Sequence, residues 1–198
     1  KNYKNLGQIC TGYIGRGKSK SKEAISGKNI IKFGFKNTNS KVPRTGNQIF
    51  IQNIYSAEAG IIGSFAGDLE ARETVTIITD GDENICRYLL GVIHSRLCNY
   101  YLLKYCFNNS KLTMHTDAKY IKKIPIIMDV NSKYYIDVIN TVKRLEIQEY
   151  LSQEWISTFE NLNKLIYEIY GINDNEINLI EDYMEEIQSK RWFDKNGR

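Results

Sequence analysis

The sequence has few prolines and histidines, and it has no long apolar segment. Its 198 residues contain two prolines, Pro43 and Pro125, and two histidines, His94 and His115. No apolar run approaches the roughly 18 residues of a membrane span, so we expect no membrane partner. The chain begins at Lys1 without a preceding apolar signal segment, from which we expect a piece of a larger protein.

The four cysteines do not form a metal-binding pattern. Cys10, Cys86, Cys98 and Cys106 include no C-x-x-C pair and do not cluster with histidines, so we predict no metal site. Reduced cysteines that act as small hydrophobic side chains are typical of cytoplasmic proteins, and we therefore expect a cytoplasmic location.

Positive charge is concentrated in the first quarter of the chain. Residues 1–50 contain eleven lysines and arginines and one acid, Glu23, although the net charge of the whole chain is only +4. Residues 51–100 and 151–198 are both net negative. This asymmetry indicates a polyanionic partner at one face of the molecule.

Short apolar segments with turn residues between them precede the first helical pattern. Because no crossover helix separates these segments, we expect an antiparallel or mixed sheet rather than βαβ units. In residues 29–35, Ile31, Phe33 and Phe35 alternate on one face of a predicted strand. The predicted strands cover residues 6–11, 29–35, 48–55, 60–66 and 74–79.

Residues 85–107 have apolar side chains at a period of 3.6 and predict one long, largely buried helix. At about 1.5 Å per residue it would reach roughly 34 Å, enough for the other elements to pack on it. Asp80, Asp82, Glu83 and Asn84 provide a cap and negative charge at its start. A polar loop, residues 108–119, and a short strand, residues 120–127, are expected to follow.

The remainder of the sequence predicts helices. Two apolar stripes begin near Tyr134 and Leu151, Gly171 is placed to end the second helix, and Asn173 with Glu176 matches a capping box. The predicted fold class is α+β, with an antiparallel or mixed sheet packed on a long central helix and followed by a C-terminal helical hairpin. We expect residues 1–130 to form a recognition domain and residues 131–198 a helical segment packed on it.

Residues 12–19 match the phosphate-loop pattern G-x-x-x-x-G-K-[ST]. Such a loop needs a helix directly behind it, whose N-terminus faces the phosphates. Residues 20–27 provide only two apolar side chains and a glycine, so a nucleotide site that uses Lys18 and Ser19 is the alternative interpretation. A flexible glycine and lysine loop that touches DNA phosphates is the preferred one, and a solvated turn is a third.

Cationic and amide side chains form the candidate binding site. Lysine and arginine neutralise phosphates and give affinity, whereas arginine and amide side chains can read base edges. The loop at residues 108–119 adds candidates because it lies between two anchored elements. We assign no catalytic residue. The predicted DNA-binding residues are Arg16, Lys18, Lys20, Lys22, Lys36, Lys41, Arg44, Gln52, Lys111, His115 and Lys119.

The order of these parts resembles a known family. The segments YLLGVIHSRLCNYYLLKY (88–105) and YIKKIPI (120–126), separated by a polar loop, look like the second half of the TaqI-like target-recognition domain of adenine-N6 DNA methyltransferases and of Type IIG restriction–modification enzymes. The resemblance extends, as a loose pattern, to LGQICTGYIGRGK (6–18), NQIFIQNIYSAEAGIIGSFA (47–66) and LNKLIYEIYGINDNEINLIEDYM (162–184).

The resemblance implies a role in sequence-specific recognition of double-stranded DNA. The family's catalytic N-P-P-Y or D-P-P-Y motif is absent, because neither proline is doubled. This chain alone is therefore expected to catalyse nothing and to hold no cofactor. The resemblance implies S-adenosylmethionine, and leaves magnesium open, for the catalytic methyltransferase domain of the parent protein, which would also be a partner. A protein-docking module built on the acidic C-terminal helices is the alternative from another class.

Overall fold

The fold combines short strands and helices up to residue 132 and is helical beyond it. The computed structural model describes residues 2–36, 45–110 and 114–196. The strands in this part are β1 (Lys4–Asn5), β2 (Ile14–Arg16), β3 (Ile30–Ile31), β4 (Gly34–Phe35), β5 (Gln48–Gln52), β6 (Ile54–Tyr55), β7 (Gly63–Phe65), β8 (Val75–Thr79), β9 (Met114–His115) and β10 (Pro125–Ile126). The α-helices are α1 (Leu6–Ile9), α2 (Glu83–His94), α3 (Arg96–Tyr101), α4 (Ala118–Ile121), α5 (Lys133–Ile147), α6 (Gln153–Tyr170) and α7 (Asp174–Asn196).

The main sheet has four antiparallel strands in the order β2-β8-β5-β7. Strand β8 pairs with β2 on one side and with β5 on the other, so Ile78 lies opposite both Ile14 and Ile49. Three two-stranded pairs, β1-β10, β3-β4 and β6-β9, complete the described strand pairings. The predicted α+β class with an antiparallel sheet is confirmed.

Both faces of the main sheet are covered. Ile49, Ile51 and Ile78 point into the main core, which also contains the apolar side chains of α2. Phe50 and Val75 point to the opposite face, because successive side chains alternate along a strand. There they pack in a second, smaller core against a layer of chain before residue 37, through side chains that include Ile25, Ile30 and Phe35.

The strand predicted at residues 6–11 is wrong, because residues 6–9 form helix α1. Gln8 Oε1 accepts a hydrogen bond from the Asn5 backbone N–H at 2.9 Å, as in a capping box. This local bond stabilises a helical turn that alternation alone does not reveal.

The strand predicted at residues 29–35 is a hairpin, β3-β4, with Phe33 at its turn. Phe33 has a φ of +61°, which an L-residue rarely adopts. Its ring therefore enters the main core, where it lies 4.4 Å from the His94 ring, whereas Phe35 packs in the second core. The predicted shared face for Ile31, Phe33 and Phe35 is wrong for this reason.

The predicted central helix is broken at Ser95. Ser95 has extended backbone angles, φ −63° and ψ 153°, and its Oγ accepts a hydrogen bond from the Cys98 N–H. Asn163 on α6 caps the second freed donor, since its Oδ1 accepts from the Arg96 N–H at 2.8 Å. Side chains thus satisfy both N–H donors. The periodicity of the apolar residues cannot predict such a break. The helical path continues through α3 into a π-helical turn, Leu102–Cys106.

Helix α2 is still the element on which the others pack, as the sequence predicts. Every residue from Cys86 to His94 is buried. Asp82 caps the helix, with its Oδ1 accepting from the Asn84 N–H at 2.6 Å, so the predicted acidic start is confirmed. Strands β5 and β7 contact one side and α5 another.

The segment after the π-helical turn differs from the prediction in two places. The predicted polar loop contains β9, which pairs with β6. The strand predicted at residues 120–127 is reduced to Pro125–Ile126, because α4 precedes it. Pro125 lies at an edge strand, where its missing N–H costs no ladder hydrogen bond.

The C-terminal helices follow the predicted pattern closely. Gly171 ends α6 in the left-handed conformation, with φ +69°. Asn173 and Glu176 exchange capping-box hydrogen bonds of 2.9 and 3.1 Å at the start of α7. Leu151 is the exception, because it precedes α6 and is exposed. The main core is one cluster of buried side chains whose members lie between Leu6 and Met184 in the sequence, on both sides of the predicted boundary at residue 130. No helix among the described residues is long and apolar enough to cross a bilayer.

We predict that Gly91→Ala destabilises the fold. A Cβ at Gly91 would lie 2.8 Å from Cγ1 of Val138 and 3.1 Å from Cγ2 of Val142, and both valines are fully buried. Alanine in place of glycine normally stabilises a helix by about 1 kcal/mol, but overpacking costs about 1–3 kcal/mol. We expect the urea midpoint to fall.

Gly81→Ala is the matched control, because no heavy atom lies within 4 Å of a Cβ built at Gly81. Its unfolding free energy should stay within about 0.5 kcal/mol of the parent chain. A Gly91→Ala variant that is more stable than the parent would contradict the close approach of α2 to α5.

Candidate nucleic-acid interface

The basic N-terminal quarter forms a layer over the sheet face opposite α2. This basic layer comprises residues 17–36. It is held down by backbone hydrogen bonds from Ser19 N–H to the Ala71 oxygen at 3.0 Å and from Ile25 N–H to the Glu70 oxygen at 2.8 Å. Ile25, Ile30 and Phe35 of the layer face the second core, whereas Phe33 enters the main core.

Five lysines of the basic layer are exposed. None of them forms an ion pair within the described ranges, where the salt bridges involve arginines only. The one acid of the layer is Glu23, so the layer itself is net positive. The exposed acids Asp68, Glu70 and Glu73 lie in or next to the segment to which the layer is hydrogen-bonded. These lysines are Lys18, Lys20, Lys22, Lys28 and Lys36.

Lys32 is the one lysine of the basic layer that turns inward. Its Nζ lies over the Phe159 ring, 5.1 Å from the centroid. Burial, with a smaller contribution from the charge of Arg96, lowers the pKa of Lys32 to about 8. The side chain therefore belongs to the packing between the layer and α6 rather than to the outer surface.

The glycine-rich motif at residues 12–19 serves strand packing. A Cβ at Gly12 would lie 2.2 Å from the Thr79 oxygen, and one at Gly17 would lie 2.5 Å from the Ala71 oxygen. The Gly17 N–H donates to the Val75 oxygen and the Ser19 hydroxyl donates to Glu70 Oε2. No helix follows within residues 20–26, so the geometry of a phosphate loop is not present.

Four polar side chains meet at the end of the sheet where β2 stops and β8 begins. This polar corner comprises Arg16, Asn53, His115 and Asp117. Arg16 Nη2 lies 2.9 Å from Asp117 Oδ1. When the Asn53 side-chain oxygen is assigned to the amide position that faces Arg16, it accepts from Arg16 Nη1 at 3.1 Å and Nη2 at 2.9 Å. His115 Nδ1 lies 3.3 Å from the Asn53 backbone oxygen.

Thr116 fixes the corner to the sheet. Its N–H donates to the Asn53 oxygen at 3.0 Å and its hydroxyl donates to the Gln52 oxygen. The buried Thr76 hydroxyl in turn donates to the Thr116 oxygen at 3.0 Å. The segment from β9 to α4 therefore crosses the ends of β5 and β8, and these three hydrogen bonds fix its position. The polar corner is thus preorganised.

The structure brings predicted residues from three distant parts of the sequence together. Arg16 and His115 are members of the polar corner, and the exposed Lys119 lies on α4 directly beside it. Gln52 lies one residue away, but its Nε2 donates to the Ile30 oxygen at 2.8 Å and so holds the basic layer to the sheet. Lys18, Lys20, Lys22 and Lys36 lie on the layer itself. Lys41, Arg44 and Lys111 lie outside the described residues.

Sequence reasoning missed Asn53 and Asp117. Asn53 is 94% buried, within a segment that reads as one strand, and its role depends on contacts with residues 16 and 115. Asp117 is a single acid in a basic loop, and no local pattern distinguishes it from a surface residue.

His94 is a core histidine. Its Nε2 accepts from the Gly63 N–H at 3.0 Å, so the proton must be on Nδ1, which faces the Leu90 oxygen at 2.9 Å. Burial, helped by the nearby charge of Lys32, lowers the pKa of His94 to about 3. His94 is therefore neutral at physiological pH and is not available as an acid or a base.

Comparisons with known proteins identify no family for this chain. No protein-family model matches the chain, and no curated protein matches it. Within the described ranges, no three histidine, cysteine, aspartate or glutamate side chains are grouped so that they could hold a metal ion.

We predict that His94 makes the fold sensitive to acid. Below its ordinary pKa of 6.5 the unfolded chain binds a proton that the folded chain does not bind until about pH 3. Stability is therefore lost as the pH falls through this window, by up to about 1.4 kcal/mol per pH unit for one proton. His94→Gln should lose this slope when urea unfolding is compared at pH 6.5 and 4.5.

The control is His115→Gln, which removes an exposed histidine and leaves the buried pair of hydrogen bonds intact. It should retain the slope of the parent chain. Equal slopes for His94→Gln and the parent chain would contradict the buried, neutral state of His94.

Proposed function

We propose that this chain is the DNA target-recognition domain of a larger adenine-N6 DNA methyltransferase or Type IIG restriction–modification enzyme. The observation that carries the proposal is the basic layer, which has five exposed lysines and directly follows Arg16 of the polar corner in the chain. The described residues supply positive charge for phosphates and a fixed arginine for a base edge, the two elements that sequence-specific binding needs.

The basic layer would bind the phosphate backbone. A lysine that neutralises a phosphate releases condensed counterions, which gives affinity without sequence preference. Lys18, Lys20 and Lys22 are all exposed within five residues of chain, so their Nζ atoms could contact neighbouring phosphates. Because the apolar side of the layer is fixed on the sheet, these cations are displayed on a rigid support.

The polar corner would read sequence through Arg16. Its guanidinium has five N–H donors, and Asp117 and Asn53 hold it in one orientation while its side chain stays 51% exposed. To read O6 and N7 of guanine in the major groove, the fork would exchange its contacts with Asp117 and Asn53 for the base edge. His115, also exposed at this corner, would contact a base edge or a phosphate.

Methyl transfer would take place on another domain of the parent protein. S-adenosylmethionine would be bound there, and this chain would orient the duplex so that the target adenine reaches the catalytic site. The alternative use of residues 12–19 as a nucleotide site is disfavoured, because Gly17 N–H and the Ser19 hydroxyl already have partners within the fold.

We predict that replacing Lys18, Lys20 and Lys22 together by alanine weakens duplex binding and its salt dependence. Each lost phosphate contact reduces the slope of log affinity against log salt by about 0.9, so the triple variant should lose roughly 2–3 in slope. Fluorescence anisotropy with a labelled duplex at salt concentrations from about 50 to 200 mM measures this slope.

The matched control replaces three exposed lysines of the helical region, Lys133, Lys143 and Lys164. It removes the same charge from helices α5 and α6 and should leave the slope within about 0.5 of the parent value. An equal loss in both triple variants would mean that only net charge matters, and an unchanged slope in the first would contradict the proposed face.

We predict that Arg16→Lys reduces sequence selectivity and leaves general affinity almost unchanged. Lysine keeps the charge but loses the two-pronged donor geometry, which is worth about 1–3 kcal/mol per base pair. Selection from a randomised duplex pool should give a motif for the parent chain and lose one position of it for the variant.

Lys18→Ala serves as the comparison in this selection, because a phosphate contact affects all sequences alike. It should give the parent motif at lower affinity. A motif that is identical for the parent chain and Arg16→Lys would contradict the proposed role of the corner.

A further inference from the structure

Three tyrosines are grouped near the β1-β10 pair, away from the basic layer. Tyr3 is 63% exposed and Tyr105 is 75% exposed. The rings of Tyr101 and Tyr105 lie 5.4 Å apart, tilted by 33°. Tyr101 lines a cavity together with Ile124 and Pro125, and Tyr3 directly precedes β1, which pairs with β10.

The π-helical turn holds Tyr105 outward on a rigid support. Phe107 is buried between Tyr55 and Tyr120, and its N–H donates to the Leu102 oxygen at 2.8 Å. The Asn109 N–H, in a left-handed residue, donates to the Leu103 oxygen at 2.7 Å. The turn is thus closed at its end, and π-helical turns occur frequently at functional sites.

Two lysines lie beside the tyrosines. Lys122 and Lys123 are exposed, and the Lys122 oxygen accepts from the Gly7 N–H next to β1. The Lys123 N–H donates to the Tyr120 oxygen at 3.0 Å, and the Tyr120 ring packs against Phe107 at the end of the π-helical turn. Neither lysine forms an ion pair with any residue that the structure describes.

The chain segments that build this surface contain almost no acid. The sequence has no aspartate or glutamate before Glu23, none between Glu83 and Asp117, and none between Asp117 and Asp129. Asp117 itself is paired with Arg16. These segments therefore combine exposed aromatic rings with lysines. Acids are contributed from the neighbouring side by α7, which packs on α3 and carries the exposed Asp182, Glu185 and Glu186.

This combination fits an unpaired nucleic-acid strand. Each base of a single strand has a free face that stacks on an aromatic ring, while cations bind the backbone. A duplex would use the lysines but not the rings, since its bases are already stacked on one another. We propose that Tyr3, Tyr101 and Tyr105, flanked by Lys122 and Lys123, form a stacking platform for two or three bases of a single-stranded nucleic acid.

The test measures binding of the whole chain to a fluorescein-labelled oligothymidine of about 12 nucleotides by anisotropy. Tyr105→Ala should weaken binding about tenfold, in line with loss of one stacked base, and Tyr105→Phe should restore most of it. Tyr134→Ala, which removes an exposed tyrosine on α5, should bind like the parent chain. An oligouridine arm distinguishes DNA from RNA, and binding of either that depends on Tyr105 supports the platform.

The proposal of a stacking platform is refuted if neither strand binds, or if Tyr105→Ala and the parent chain bind equally. The tyrosine surface would then be interpreted as a protein-docking face. The platform stands apart from the proposed duplex function. The variant that lacks Lys18, Lys20 and Lys22 should lose duplex affinity and keep oligothymidine affinity, whereas Tyr105→Ala should show the reverse. Loss of oligothymidine affinity in the lysine variant equal to that in Tyr105→Ala would place the strand on the basic layer and refute the proposal.

Discussion

The fold depends on the burial of helix α2 between the main sheet and α5. Nine consecutive residues of α2 are buried, and Gly91 allows Val138 and Val142 to approach its backbone closely. Burial of a large apolar side chain stabilises a fold by about 1.5–3 kcal/mol, so a helix enclosed in this way contributes to every neighbouring contact. Helix α2 covers one face of the sheet, and the N-terminal segment covers the other face. Five lysines of the basic layer are therefore exposed to solvent.

The same arrangement separates two surfaces with different chemistry. The basic layer is cationic, with few exposed aromatic rings, and ends at the polar corner, where Thr116 fixes the strand ends. The tyrosine platform lies at the β1-β10 pair, where α4 links Asp117 to Lys122. A protein that docks on duplex DNA and a protein that holds an unpaired strand need these two kinds of surface respectively. Under the proposed function, both surfaces on one domain would suit the presentation of DNA to an enzyme that acts on an extruded base.

The sequence predicts the parts of the fold that depend on local periodicity and caps. The α+β class, the start of α2 at Asp82 and the end of α6 at Gly171 follow from such patterns. The break at Ser95 does not, because Asn163, far away in sequence, satisfies one of the freed donors. The hairpin at Phe33 and the polar corner were not predicted for the same reason, because both depend on residues that are distant in sequence. Charge composition identifies the lysines, but only the tertiary structure brings Arg16, Asn53 and His115 together.

The central claim is that the basic layer and the polar corner bind duplex DNA. The most direct measurement is the change in backbone amide chemical shifts by NMR when a short duplex is added at near-physiological salt. The account predicts that the largest changes map to residues 15–22, to Asn53 and to residues 115–119, with small changes on α5 and α6. Changes concentrated on α6 and α7, with the basic layer unaffected, would contradict it.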